Sequence, residues 1–245
     1  MHLHNCRFQH SLSRLSFASS LSTRVHEDLK NIILPYGRLE NCSINIRVCS
    51  SEWPDVIQTF RDFLGQCRAL RVASLRLRPG GPSPWTHLPD DTDWHPSQIP
   101  AHLVKLSVTI AVTLPASMST VLKGLDLPVL NSLSLSGWGC FSSFRLIPEY
   151  EDIMKTLQHD LPFFARLKSL AFVRLDIREE QLCSVLRCTS LLEYFAFCKS
   201  KAHRFLDYTA LLEFFMVDEV RLRKEEDYPP LPKLRALRVE YSKGP

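Results

Sequence analysis

Apolar and polar positions along this chain repeat one short phrase: an apolar residue, two variable positions, a second apolar residue, one variable position, and a third apolar residue. The copies are Leu12-Leu15-Phe17, Leu39-Cys42-Ile44, Val72-Leu75-Leu77, Leu103-Leu106-Val108, Leu130-Leu133-Leu135, Leu167-Leu170-Phe172, Leu192-Phe195-Phe197 and Leu234-Leu237-Val239. In each, the last two apolar positions stand two apart, the period of a strand with one buried face. Each copy therefore predicts one short strand. Between copies the apolar spacing becomes helical. The sets are Val25, Leu29, Ile32 and Ile33; Val56, Ile57, Phe60, Phe63 and Leu64; Met118, Val121, Leu122 and Leu125; Ile153, Met154, Leu157 and Leu161; Leu182, Val185 and Leu186; and Tyr208, Leu211, Leu212 and Phe215. Strand and helix alternate through the chain.

Two α/β architectures accept that alternation: a doubly wound sheet and a solenoid of stacked units. The chain has only 8 glycines, and none forms the phosphate-cradling turn between strand and helix that doubly wound nucleotide-binding folds use. A fixed Leu-x-x-Leu opening has a physical cause in a solenoid. Leucines of successive units stack into one continuous core that no unit could close alone. The expectation is therefore a leucine-rich-repeat solenoid over residues 1–245. It would comprise about eight irregular units, with a curved parallel sheet and helices on its outer face. The position eight residues after each opening, where many such repeats carry Asn or Cys, holds Gly80, Ala111, Trp138, Leu175, Ser200 and Ser242 in the last six copies. With no asparagine ladder, uneven loops are expected. The longest is residues 79–100, rich in proline and without apolar period.

Composition supports one large folded domain, since 45% apolar residues over 245 positions suffice for a core. A net charge of +4 gives no footprint for nucleic acid, and no apolar run is long enough to span a membrane. The 8 cysteines form no CxxC pair, and several occupy small apolar positions of the repeat. They read as reduced core thiols, which favours a cytoplasmic or nuclear setting. Residues 1–25 are Ser-rich, with Arg7, Arg14 and Arg24 and no acids, the composition of a transit peptide, but they also carry the first copy of the repeat.

Candidate chemistry is sparse. His2, His4, Cys6 and His10 match no closed zinc motif. Asp90, Asp91, Asp93 and His95 lack the glycine and downstream glutamate of a calcium loop. Cys183 and Cys188 fit core packing, and Arg221-Leu222-Arg223-Lys224 is neutralised by Glu225-Glu226-Asp227. No nucleophile stands in a recognisable motif with a base, so neither catalytic residues nor a cofactor or metal site is expected. The more useful surface comes from strand geometry. If the leucines point inward, the residues between them face the concave side: Asn41, Ser43 and Asn45; Ser74, Arg76 and Arg78; Lys105, Ser107 and Thr109; Ser132, Ser134 and Ser136; Ser169, Ala171 and Val173; Tyr194, Ala196 and Cys198; Ala236, Arg238 and Glu240. Arg76, Arg78, Lys105, Ser107, Ser134, Tyr194 and Arg238 are the expected partner-binding residues, the cations pairing with carboxylates or phosphates and Tyr194 offering an anchor.

The segment from Leu167 to Phe197, with Asp176-Ile177, Glu179-Glu180 and Cys188-Thr189-Ser190-Leu191, and the phrase Leu231-Pro232-Lys233-Leu234 resemble the leucine-rich-repeat half of fungal F-box proteins, notably those of mushroom-forming fungi. The resemblance implies a protein partner selected for ubiquitination. In that family an F-box docks on the ligase adaptor; no F-box is recognisable here, so adaptor docking depends on one lying upstream. The rival expectations are an α/β enzyme with an unrecognised site and a truncated repeat fragment that folds poorly.

Overall fold

The computed structural model describes residues 13–19, 36–48, 53–79, 102–110, 122, 125, 127–137, 163–175, 177, 179–200, 214 and 231–242. Every copy of the repeated phrase yields a strand: β1 (Arg14–Ser19), β2 (Asn41–Val48), β3 (Val72–Pro79), β4 (Lys105–Ile110), β5 (Ser132–Gly137), β6 (Ser169–Val173), β7 (Tyr194–Ser200) and β8 (Ala236–Ser242). They form one eight-stranded sheet in chain order, with every neighbouring pair parallel. A doubly wound sheet reverses its strand order at a switch point. This sheet has no reversal, which sets that rival aside and leaves a repeat-like parallel α/β fold.

One face of the sheet carries the core. Cys42, Ile44, Ile46 and Val48 are buried on β2, Leu133 and Leu135 on β5, and Leu170 and Phe172 on β6, while the residues between them are more open. Parallel sheets are usually covered on both faces. Here the alternation of Ser and Leu in β5, Ser-Leu-Ser-Leu-Ser, leaves a polar second face. Helices α1 (Trp53–Gln66) and α2 (Glu179–Arg187) supply the cover. Val56, Ile57, Phe60, Phe63 and Leu64 of α1, and Leu182, Val185 and Leu186 of α2, are buried as their spacing predicts. In α1 the Pro54 nitrogen lies in the first turn, where it owes no hydrogen bond, and the Thr59 hydroxyl donates to the Asp55 carbonyl at 2.7 Å. Phe214 packs on the core, with the Arg187 guanidinium 5.6 Å from its ring centre. The other expected helices, apart from isolated positions, lie outside the described residues, as does the segment 80–101.

A backbone device sets the register. The carbonyl of the residue immediately before each strand from β2 to β7 accepts two N–H groups from the next unit. Glu40 accepts from Arg71 and Val72, Arg71 from Val104 and Lys105, Val104 from Asn131 and Ser132, Asn131 from Lys168 and Ser169, Lys168 from Glu193 and Tyr194, and Glu193 from Arg235 and Ala236. Just before the strand, Leu70, Leu130, Leu167, Leu192 and Leu234 each donate their own N–H three residues back, to Cys67, Leu127, Phe164, Thr189 and Leu231. Those acceptor residues are themselves buried. The leucine that opens the phrase is therefore the end of a tight turn whose first residue is a core side chain.

This register corrects the third copy. Cys42 pairs with Ala73 and Ile44 with Leu75, so the equivalent phrase is Leu70-Ala73-Leu75, two residues earlier than Val72-Leu75-Leu77. The outward set Ser74, Arg76 and Arg78 is unchanged, because a shift of two keeps each side chain on its face. Two further expectations change. Thr109 is buried although it alternates with core residues, and Leu237 and Val239, on the core face of β8, stay 42% and 38% exposed.

Three of the five described cysteines are core residues: Cys42, Cys67 and Cys183 are buried, Cys188 and Cys198 are half-buried, and none of the five forms a disulfide. Burial, with the neighbouring Cys67 thiol adding to it, pushes Cys42 up to about 12 from 9.0, and burial alone does the same for Cys67. The folded chain keeps two protons that the unfolded chain begins to release near pH 9. Their contribution to stability is thus complete below pH 9 and is lost as the pH climbs towards 12. Burial also pushes the Arg61 guanidinium down to about 10. That effect has the opposite sign but begins only above pH 10. Melting temperature should accordingly fall between pH 8 and pH 10, and Cys67→Ala should melt with a shallower fall over that window. An identical pH slope in the variant would remove the thiol explanation.

Candidate protein-docking face

Parallel pairing aligns the open-face residues into transverse rows about 4.8 Å apart from strand to strand. The row through the centre contains Ser16, Ser43, Ser74, Ser107 and Ser134 on five successive strands, then Ala171, Ala196 and Arg238. Small side chains along this row allow another chain to approach the sheet closely. Lys105 stands in the row on the N-terminal side, opposite Ser132. Arg76 stands in the row on the C-terminal side, opposite Asn45 and Thr109, and beyond it Arg47 lies directly opposite Arg78.

The structure thus divides the seven expected binding residues. Arg76 and Arg78 gather at the C-terminal ends of β2 and β3 together with Arg47. Lys105 is four residues away along β4 from the position that faces Arg76, about 13 Å at strand rise. Ser107 and Ser134 are half-buried members of the serine row. Tyr194 is 49% exposed, but it lies three strands from Lys105, about 14 Å at the usual interstrand spacing. Arg238 lies on β8, and its Nε already donates to Glu240 Oε1 at 2.7 Å. That hydrogen bond and charge raise its pKa further, so Arg238 offers no unmatched charge. Arg76 and Lys105 are exposed, Arg78 is half-buried, and among the described residues no ion pair engages Arg47, Arg76 or Lys105.

Arg47 is a binding candidate that the repeat reading passes over. It follows the phrase Leu39-Cys42-Ile44 by three residues, and only the length of β2, which runs on to Val48, puts it on the open face. Arg47 and Arg76 are both exposed and lie diagonally across β2 and β3, and guanidinium suits carboxylate and phosphate oxygens in paired hydrogen bonds. Carboxylates are scarce on this face: among the described open-face residues, Glu240 is the one acid, and it sits at the opposite end of the sheet. At the N-terminal rim of β6 to β8, Glu193 lies between Lys168 at 3.6 Å and Arg235 at 4.0 Å, a surface network of little energetic weight.

Among the described residues no group of three His, Cys, Asp or Glu could hold a metal ion, and no helix is long and apolar enough to cross a membrane. The His2 to His10 cluster, the Asp90 to His95 segment and the Arg221 to Asp227 run lie outside the described residues. No protein-family model matches this chain, and no curated protein matches it.

Proposed function

We propose that this chain is a protein-binding module, a leucine-rich-repeat solenoid related to the target-selecting half of an F-box ubiquitin-ligase receptor. The carrying observation is the one-sided sheet: a parallel sheet with core on one face and, on the other, small hydroxyl side chains beside arginines and a lysine. Such a face buries little of itself and can accept a partner without rearrangement. The partner is a protein that presents an acidic segment to β2, β3 and β4. It would be a ubiquitination substrate where an F-box is joined to these repeats.

The test is quantitative affinity capture with wild type and with Arg47→Glu/Arg76→Glu. Both side chains are exposed on the sheet surface, so the variant should fold with little change in stability. Proteins retained by wild type should be depleted at least tenfold by the variant, the scale of a lost desolvated charge pair. An unchanged set of retained proteins would remove the proposal. The enzyme alternative predicts converging titratable groups at strand ends.

A further inference from the structure

The last strand of the described sheet carries a self-complementary pattern along its outer edge. β8 pairs with β7 on one side, and nothing among the described residues pairs with the other. Ala236 donates its N–H to the Glu193 carbonyl and forms a bridge with Tyr194. Backbone groups alternate sides along a strand. Ala236, Arg238, Glu240 and Ser242 therefore direct their N–H and C=O towards β7, while Leu237, Val239 and Tyr241 direct theirs to the free edge. The same alternation puts Leu237 and Val239 on the core face, where both remain exposed although their row partners Phe195 and Phe197 are buried.

We propose that this edge is a homodimer interface, in which β8 of one copy pairs antiparallel with β8 of a second copy about a two-fold axis at Val239. In that register Val239 faces Val239 and Leu237 faces Tyr241 as hydrogen-bonded pairs, all using backbone groups that point to the free edge. Arg238 then faces Glu240 of the other copy, twice, at the non-hydrogen-bonded positions where opposed Cα atoms are only about 4.5 Å apart and side chains are closest. The neighbouring registers are selected against. Sliding the strands so that Leu237 faces Val239 puts Arg238 against Arg238, and sliding the other way so that Val239 faces Tyr241 puts Glu240 against Glu240. The charges that blunt an edge against indiscriminate pairing here permit one register and oppose the two beside it. A two-fold perpendicular to the sheet keeps both open faces on the same side, so the dimer presents two docking faces at once. This interface does not depend on what those faces bind.

Sedimentation equilibrium of the full chain, over a concentration series, tests it. Wild type should approach a dimer with rising concentration. Arg238→Glu and Glu240→Arg should each weaken the dimer at least tenfold, because each places like charges opposite one another twice, and the double exchange Arg238→Glu/Glu240→Arg should restore it. Val239→Pro removes an N–H that the β7 ladder does not use, a position where edge strands tolerate proline, and should give a monomer with unchanged circular dichroism. A wild type that stays monomeric throughout, or a double exchange no better than the single variants, overturns the proposal.

Discussion

Leu133→Ala lowers the unfolding free energy by about 2–5 kcal/mol. Leu133 is only 1% exposed and lies in one transverse row with Leu106 and Leu170. Truncation removes its buried methyl groups and leaves a cavity in the middle of the sheet. The neighbours cannot close it by sliding, because the paired N–H donations to Val104 and Asn131 fix the strands on both sides of the row. Typical total stability is about 5–15 kcal/mol, so the variant should unfold at a clearly lower urea midpoint. Ser134→Ala, one residue along and on the open face, should shift stability by under about 0.5 kcal/mol. Equal midpoints for Leu133→Ala and wild type would contradict the placement of the core.

Gly137→Ala comes next in size, at about 1–3 kcal/mol of destabilisation. β6 ends one residue earlier than β5, and at Arg174 the chain turns with φ 56°, a left-handed conformation in a residue that has a Cβ. This turn brings the Arg174 carbonyl oxygen against β5. A Cβ added at Gly137 would stand 2.5 Å from that oxygen and 3.2 Å from Leu175 Cδ2. The oxygen belongs to backbone and cannot rotate aside. Thermal unfolding of Gly137→Ala beside Gly37→Ala, where nothing lies within 4 Å of the added Cβ, separates this clash from any general cost of replacing glycine. Equal losses in the two variants would remove the close approach as the cause.

The strands were legible because a period of two with one apolar phase admits few alternatives when it recurs eight times. Phase within a strand was less legible, and β3 shows why. Its alternation continues from Ala73 through Leu75 to Leu77, so apolar spacing alone accepts either Leu70-Ala73-Leu75 or Val72-Leu75-Leu77. The choice is made by the turn from Cys67 to Leu70 and by the two donations to Glu40, neither of which is an apolar period. The buried residue three before each opening leucine was an available signal. It recurs as Cys67, Leu127, Phe164, Thr189 and Leu231, a mixture of types that a search for leucine does not collect. The Thr189 hydroxyl, bonded to the Leu186 carbonyl at 2.9 Å, satisfies its polarity locally and so can occupy a core position.

The candidate site was legible in part for the same reason. Which residues share the open face follows from alternation, and Arg76, Arg78 and Lys105 were placed there by parity alone. What alternation does not give is which of them are neighbours. Registers bring Arg47 to Arg78 and keep Tyr194 three strands from Lys105. The pairing of Arg238 with Glu240 was implicit in their spacing, since residues two apart on a strand share a face, and it removes Arg238 from the set of unmatched cations. Exposure of Leu237 and Val239 could not be read from a pattern that treats all eight copies as equivalent, because an edge strand has a neighbour on one side only.

Use of the open face by a partner is tested most directly by blocking it. In a background with Cys6, Cys49, Cys140, Cys188 and Cys198 replaced by serine, Ser134→Cys places one accessible thiol in the centre of the serine row, and Gln66→Cys places one at the exposed end of α1. Each is modified with a bulky maleimide and compared with its unmodified form in affinity capture. The modified Ser134→Cys protein should lose the partners that the unmodified form retains, while the modified Gln66→Cys protein keeps them. Retention of the same partners with the serine row blocked would contradict the account.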